Sequence, residues 1–242
     1  MSKGTMASSI SAVIVAGGKG ERMQSSIRKQ YLVLGKLPVL SHTIAAFDSS
    51  PLIQAIFLVV PETDLDFCVS EVLAPINPRK RVCLVPGGKH RQASVYNGLC
   101  AINDTDGIVV IHDGVRPFIS GRQIEAVVHC TEKDGACIIG IPAADTLKKI
   151  DEDGCIAHTV ARQSIWLAQT PQAFQYHLIK KAHDLALSEG VIGTDDASLL
   201  ERLGIRVRMI PGSPNNIKIT TPEDLLMAQA IFHMSHASEQ NT

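Results

Sequence analysis

The chain has 242 residues, 45% of them hydrophobic and 19% charged, with a formal net charge of −1 when histidine is neutral. That length can bury a large core in one domain. The near-neutral balance gives no reason to expect nucleic acid as an electrostatic partner. No apolar run approaches the ~20 residues that span a bilayer, so no membrane partner is expected. The leader "MSKGTMASSIS" lacks the hydrophobic stretch of a secretory signal, so a cytoplasmic location is expected. Six cysteines, at 68, 83, 100, 130, 137 and 155, include no C-x-x-C pair, and most sit in apolar runs. Buried, reduced thiols are the expectation.

In chain order, residues 1–9 read as a disordered leader, 10–234 as a single domain and 235–242 as a flexible tail. Strand candidates are "SAVIVA", "AIFLVVP", "RVCLVPG", "GIVVIHD", "ACIIGIP" and "IRVRMIPG". Helices are expected near 38–48, 63–74, 91–102, 120–133, 175–189, 195–203 and 222–234. Apolar β-rich runs alternating with amphipathic segments argue an α/β fold with a mainly parallel sheet. Ligands of such sheets bind beyond the carboxyl ends of strands, which places 17–22, 86–94 and 112–117 on one rim. Residues 145–162 break the alternation: two charged runs flank Asp153–Gly154, the signature of a β-hairpin. Such a hairpin has too little apolar surface to stand alone, so it is read as an arm protruding from the domain.

The first strand runs into "AGGKGERM", which places glycines and the cations Lys19 and Arg22 where backbone N–H groups could hold phosphate. The loop lacks the third glycine and ribose acid of a dinucleotide fold, and the chain lacks a P-loop. Arg22 and Lys29 can also be read as solvated surface charge. "PGGKHRQASV" (86–95) is a second such loop, in which Gly87 and Gly88 free the backbone to read a flat base and Ser94 offers a hydroxyl; an ordinary turn is the alternative. In "VVIHDGVRPF" a strand ends in His112, Asp113 and Arg116. The carboxylate suits a ribose hydroxyl or a magnesium shell, and Arg116 suits a phosphate on an acceptor; His112 is read as structural. Lys218 is placed in a short strand within "IKI", and Thr221 and Pro222 open the last helix.

Together with "KQYLVLGKLPVLSHT", "DTLKK", "HTVAR", "QTPQAF", "GTDDAS" and "NIKITTPEDL", these motifs resemble the 2-C-methyl-D-erythritol 4-phosphate cytidylyltransferase family across nearly all of residues 10–232. The resemblance implies a Rossmann-like nucleotidyltransferase fold, a homodimer joined through its β-arms, CTP with Mg²⁺, and a polyol phosphate as acceptor. Carried over by position, it implies that Arg22, Lys29 and Lys218 contact the triphosphate and act in catalysis. Ala16, Gly17, Gly18, Gly87, Gly88 and Ser94 would surround the nucleotide, with Asp113 and Gly114 at the ribose or metal. Arg116, Thr170 and Thr194 would face the acceptor, with Thr146 and Arg162 reaching over from a partner's arm. The family often has Pro where Arg28 stands and Asp where Ala161 stands, so another group must orient Arg162. A ribitol 5-phosphate cytidylyltransferase shares several of these motifs, but "DTLKK" and "HTVAR" favour the methylerythritol enzyme. A non-catalytic nucleotide sensor would be expected to lose one of the three catalytic cations, and none is lost.

Overall fold

The computed structural model describes residues 9–18 and 27–239, the last four without their side chains. Its centre is a seven-stranded sheet in the order β11-β7-β10-β6-β1-β4-β5. The strands are β1 (Ile10–Val15), β4 (Ala55–Val60), β5 (Arg81–Pro86), β6 (Ile108–Asp113), β7 (Ala136–Pro142), β10 (Trp166–Gln175) and β11 (Arg208–Pro211). Two short pairs stand apart: β2 (Val33–Leu34) with β3 (Leu37–Pro38), and β8 (Leu147–Ile150) with β9 (Ile156–Val160).

Period-two alternation explains the layers. In β1, Ile10, Ala12 and Ile14 join one core cluster, while Val13 and Val15 join the other. The first cluster meets α1 (Val39–Ser49) through Leu40, Ile44 and Phe47, and α4 (Gly121–Asp134) through Ile124 and Val128. The second meets α3 (Arg91–Cys100), α5 (Tyr176–Ser188) and α6 (Asp196–Arg202) through Leu99, Ile179 and Leu200. Each fully buried Leu or Ile of this kind contributes about 1.5–3 kcal/mol. A third, smaller cluster of Leu34, Val39, Val115, Ile219 and Ala228 seats α7 (Pro222–Glu239) beside the β2–β3 pair.

The six expected strands are present and parallel where they pair with one another, but the sheet has a seventh, β10. It runs antiparallel between β6 and β7. Its polar "QTPQ" interrupts the apolar signal, and Pro171 argues against a central strand. The strand accommodates Pro171 with a register shift between Ala168 and Gln172. The helix expected at 63–74 is composite: a 3-10 turn at Glu62–Asp64, α2 at Leu65–Phe67, and a π-helical stretch at Cys68–Leu73. There Ser41 Oγ donates to the Val72 carbonyl at 2.9 Å, so a side chain of α1 satisfies the widened helix.

Lys218 lies outside any strand, and the next residue, Ile219, donates its N–H to Val115 O at 3.0 Å. One such bond makes no ladder. Thr221 Oγ1 accepts from Asp224 N–H and opens α7, which runs to Glu239, past the start expected for the tail. Residues 1–8 of the leader lie outside the described residues, whereas Ser9 O accepts from Ile108 N–H at the edge of the sheet. The thiols correct another expectation: all six are free, but only Cys68 and Cys137 are buried, and Cys100 and Cys155 are exposed. Among the described residues no helix is long and apolar enough to cross a membrane.

Candidate active site

Three strand ends converge. β1 stops at Val15, and Ala16 N–H continues to Val59 O at 2.8 Å, directing Ala16–Gly18 over the sheet rim. β5 stops at Pro86, and Gly87 N–H returns to Val60 O at 2.7 Å before α3 begins. β6 stops at Asp113. Between these ends lies a cavity of about 1040 Å³, walled by Ala16, Gly17, Gly18, Lys29, Gln30, Gly87, Gly88, Lys89, Arg91, Ser94, Asp113 and Lys218, among others. Arg22 lies outside the described residues.

Ser94 ties the two glycine loops together. Its hydroxyl accepts from Gly88 N–H at 3.0 Å and donates to His90 O at 3.1 Å. A Cβ on Gly17 would sit 3.2 Å from Ser94 Oγ, and one on Gly88 would sit 2.5 Å from Ala93 Cβ and 2.8 Å from its carbonyl carbon. The loop can therefore close on the first turn of α3 only with glycine at 88.

Asp113 is the electrostatic hub. Its Oδ1 meets Arg91 Nε at 2.9 Å; its Oδ2 meets Lys218 Nζ at 2.9 Å and Arg116 Nε at 3.5 Å. Burial opposes its charge, but Arg91, Lys218 and Arg116 outweigh burial and hold the carboxyl well below the usual range. Arg91 also reaches Asp196 Oδ2 at 2.7 Å, and Asp196 Oδ1 lies 3.2 Å from His183 Nε2. Burial again works against Asp196, yet Arg91 and His183 keep its carboxyl below the ordinary value.

Several residues expected to touch ligands are engaged within the protein. Gly114 N–H donates to Val15 O, and a Cβ there would meet Leu40 Cδ1 at 2.8 Å and Ala16 Cβ at 2.9 Å, so its glycine is a packing requirement. Arg116 is turned to Asn216 O, at 2.7 Å, as well as to Asp113, and burial lowers its pKa. The Thr170 hydroxyl accepts from Asp113 N–H at 3.0 Å, bracing the strand end from behind. None of these three walls the cavity. Thr194 is exposed one residue before Asp195, which caps α6, and it too lies off the wall.

Thr146 and Arg162 are exposed at the base of the β8–β9 hairpin, away from the cavity. Arg162 donates through Nη1 to the Ala144 carbonyl. His112 is fully buried, donates to Arg116 O through Nε2–H at 3.1 Å, and packs on Phe47. Burial lowers its pKa to about 4, which makes it a neutral structural group as expected.

Arg91 and Asp196 escaped the sequence reading, although both lie in quoted motifs. Arg91 carries a signal: it is the first residue of α3, where the helix dipole disfavours a cation. A cation placed there implies carboxylates close by, and the structure supplies two.

The profile of the family described as "IspD: 2-C-methyl-D-erythritol 4-phosphate cytidylyltransferase" matches residues 10–234. The chain is 52% identical over 225 residues to the enzyme of that name from Syntrophotalea carbinolica, covering 93% of this chain and 96% of the relative. It is 48% identical over 221 residues to the one from Syntrophus aciditrophicus, covering 91% and 94%. Among solved structures it resembles 4-diphosphocytidyl-2C-methyl-D-erythritol synthase from Anaerococcus prevotii, with a TM-score of 0.84 and 32% identity over 93% of this chain and 96% of that one. These matches favour the methylerythritol reading over ribitol phosphate. With a glycine-lined, cation-rich cavity at the carboxyl edge of a mainly parallel sheet, the chain belongs to the IspD family of cytidylyltransferases.

Proposed function

We propose that the cavity holds CTP, that Lys29 and Lys218 with Arg22 stabilise charge at the reacting phosphates, and that 2-C-methyl-D-erythritol 4-phosphate attacks from the side that a second copy's hairpin would reach. The observation that carries this reading is the cavity that gathers Lys29, Arg91 and Lys218 beside the glycine loops, with Arg91 and Lys218 paired to Asp113. The acceptor's phosphate oxygen attacks the α-phosphorus in line; its new P–O bond forms as the bond to pyrophosphate breaks. Both reactants are anions, so their approach needs cations. The nucleophile is already ionised, so the protein's work is positioning and charge stabilisation. Asp113 holds Lys218 at the site and limits the repulsion among three neighbouring cations.

Mg²⁺ belongs to this reading as a partner of CTP. Among the described residues no group of three His, Cys, Asp or Glu side chains could hold a metal, and Asp113 is shared by three cations. That donor set fits an ion carried mainly by the triphosphate, which Asp113 would join only in place of one of its cations. When bound, the ion neutralises part of the phosphate charge.

Base choice follows from what the second loop has left to offer. Gly87 and Gly88 N–H groups are engaged by Val60 O and Ser94 Oγ, so loop carbonyls are the complement for cytosine's amino group and oppose uracil's oxygen. A homodimer completes the proposal: Ile150 and Ile156 of the hairpin are 61% and 63% exposed, an apolar face that a second copy would cover while receiving Thr146 and Arg162. A cytoplasmic location is supported by six free thiols. Pyrophosphate release should be fast with CTP and methylerythritol phosphate, and slow when UTP or ribitol 5-phosphate replaces either. Equal kcat/KM for CTP and UTP would refute the loop's role, and equal rates with ribitol 5-phosphate would refute the acceptor.

A further inference from the structure

Lys29 opens a 3-10 turn, Lys29–Tyr31, and every neighbour in that stretch is tied down. Arg28, just before it, has φ −63° and ψ 139°, and its Nε pairs with Asp64 Oδ2 at 3.0 Å. The Tyr31 hydroxyl donates to the same oxygen at 2.9 Å and lies 3.4 Å from the Cys68 thiol. Between them Gln30 is buried, and its Nε2 donates to Ala16 O at 2.7 Å. Asp64 comes from another segment, the 3-10 turn Glu62–Asp64 that follows β4. A single carboxylate oxygen thus holds the residue before Lys29 and the last residue of its turn.

The backbone angle at Arg28 is the one a proline ring would impose. An arginine does not impose it; here the side chain reaches a fixed carboxylate instead. We propose that Asp64 is a positioning residue for the cytidylyl transfer. Through Arg28 and Tyr31 it fixes the backbone from which Lys29 reaches the triphosphate, doing by an ion pair what a ring at 28 would do covalently. The proposal rests on the assignment of Lys29 to the CTP phosphates. Its energetics separate it from a stability role. The Arg28 and Asp64 side chains are 32% and 14% exposed, and an ion pair with one partner this open to water adds modestly to folding. A displacement of about 1 Å at a catalytic group, by contrast, can cost up to about a hundredfold in rate.

The test is steady-state kinetics on the full chain. Asp64→Ala should lower kcat about tenfold, change KM for CTP less than about threefold, and move Tm by only a few degrees. Adding Arg28→Pro to that variant should bring kcat back to within about threefold of wild type, since the ring restores the angle. Arg28→Pro alone should keep turnover. Normal kcat in Asp64→Ala overturns the proposal, as does failure of proline to rescue it. Loss of activity in Arg28→Pro alone also overturns it, because the pair would then hold something other than this angle. Lys29→Ala, run alongside, separates the two claims. If it stays active the reading of Lys29 fails, and if it is inactive while Asp64→Ala is normal only the positioning role fails.

Discussion

Replacing Asp113 by Asn tests whether the hub is a stabilising element or only a contact. The carboxylate accepts from Arg91 on one oxygen and from Lys218 and Arg116 on the other. An asparagine amide can accept on one side only; on the other it turns an NH₂ toward a cation. Arg91 keeps Asp196 at 2.7 Å and Arg116 keeps Asn216 O, so Lys218 is the group left without that carboxylate. Breaking a buried pair from one side typically costs about 3–5 kcal/mol. Lys218 is 37% exposed and can turn to water, so about 3 kcal/mol is expected, a shift of about 1 M in urea midpoint. The pH dependence has a definite sign. The folded carboxyl titrates below its unfolded value of about 3.9, so its stabilisation is complete above that value and is lost as pH falls toward the folded one. The wild-type advantage should therefore be the same at pH 7 and pH 5 and shrink only below about pH 4. Urea unfolding of both proteins at these three pH values decides it. An unchanged midpoint at pH 7, or an advantage that already fades between pH 7 and 5, refutes the reasoning.

Lys29→Ala and Lys218→Ala should each lower kcat on the order of a hundredfold while KM for CTP changes little, since they act on charge developing in the transition state; near-normal turnover in pyrophosphate release would discard the assignment. Mixing equal amounts of Arg162→Ala and Lys29→Ala chains should restore roughly a quarter of wild-type activity, because half the dimers are hybrids with one complete site. Recovery no greater than the sum of the parents would mean the hairpin serves its own subunit. Gly88→Ala forces a methyl to within 2.5 Å of Ala93 Cβ, so the loop must shift. KM for CTP should rise about tenfold by calorimetric or kinetic titration, the cost of a displaced contact loop, and an unchanged value would show that the loop does not touch the nucleotide.

The alternating apolar runs by themselves determined the layered α/β fold, because a strand buried on both faces and a one-sided helix have different periods. Both ends of α4 are local too: Ser120 and Gln123 form a capping box at its start, and Gly135 adopts φ +82° just past its end. The glycine loops and the strand end at Asp113 placed the site on one rim for the same reason: backbone freedom and a terminal carboxylate are local properties. Tertiary structure alone decided the rest. β10 is a strand because β6 and β7 flank it, whatever its Gln-Thr-Pro-Gln suggests. Asp113 sits among Arg91, Arg116 and Lys218, drawn from positions as far as 127 residues apart (91 to 218), only when three segments meet. The internal partners of Arg116 and Thr170, Asn216 O and the Asp113 amide, likewise come from distant segments. A charge's partner is a matter of distance through space, and a sequence supplies only distance along the chain.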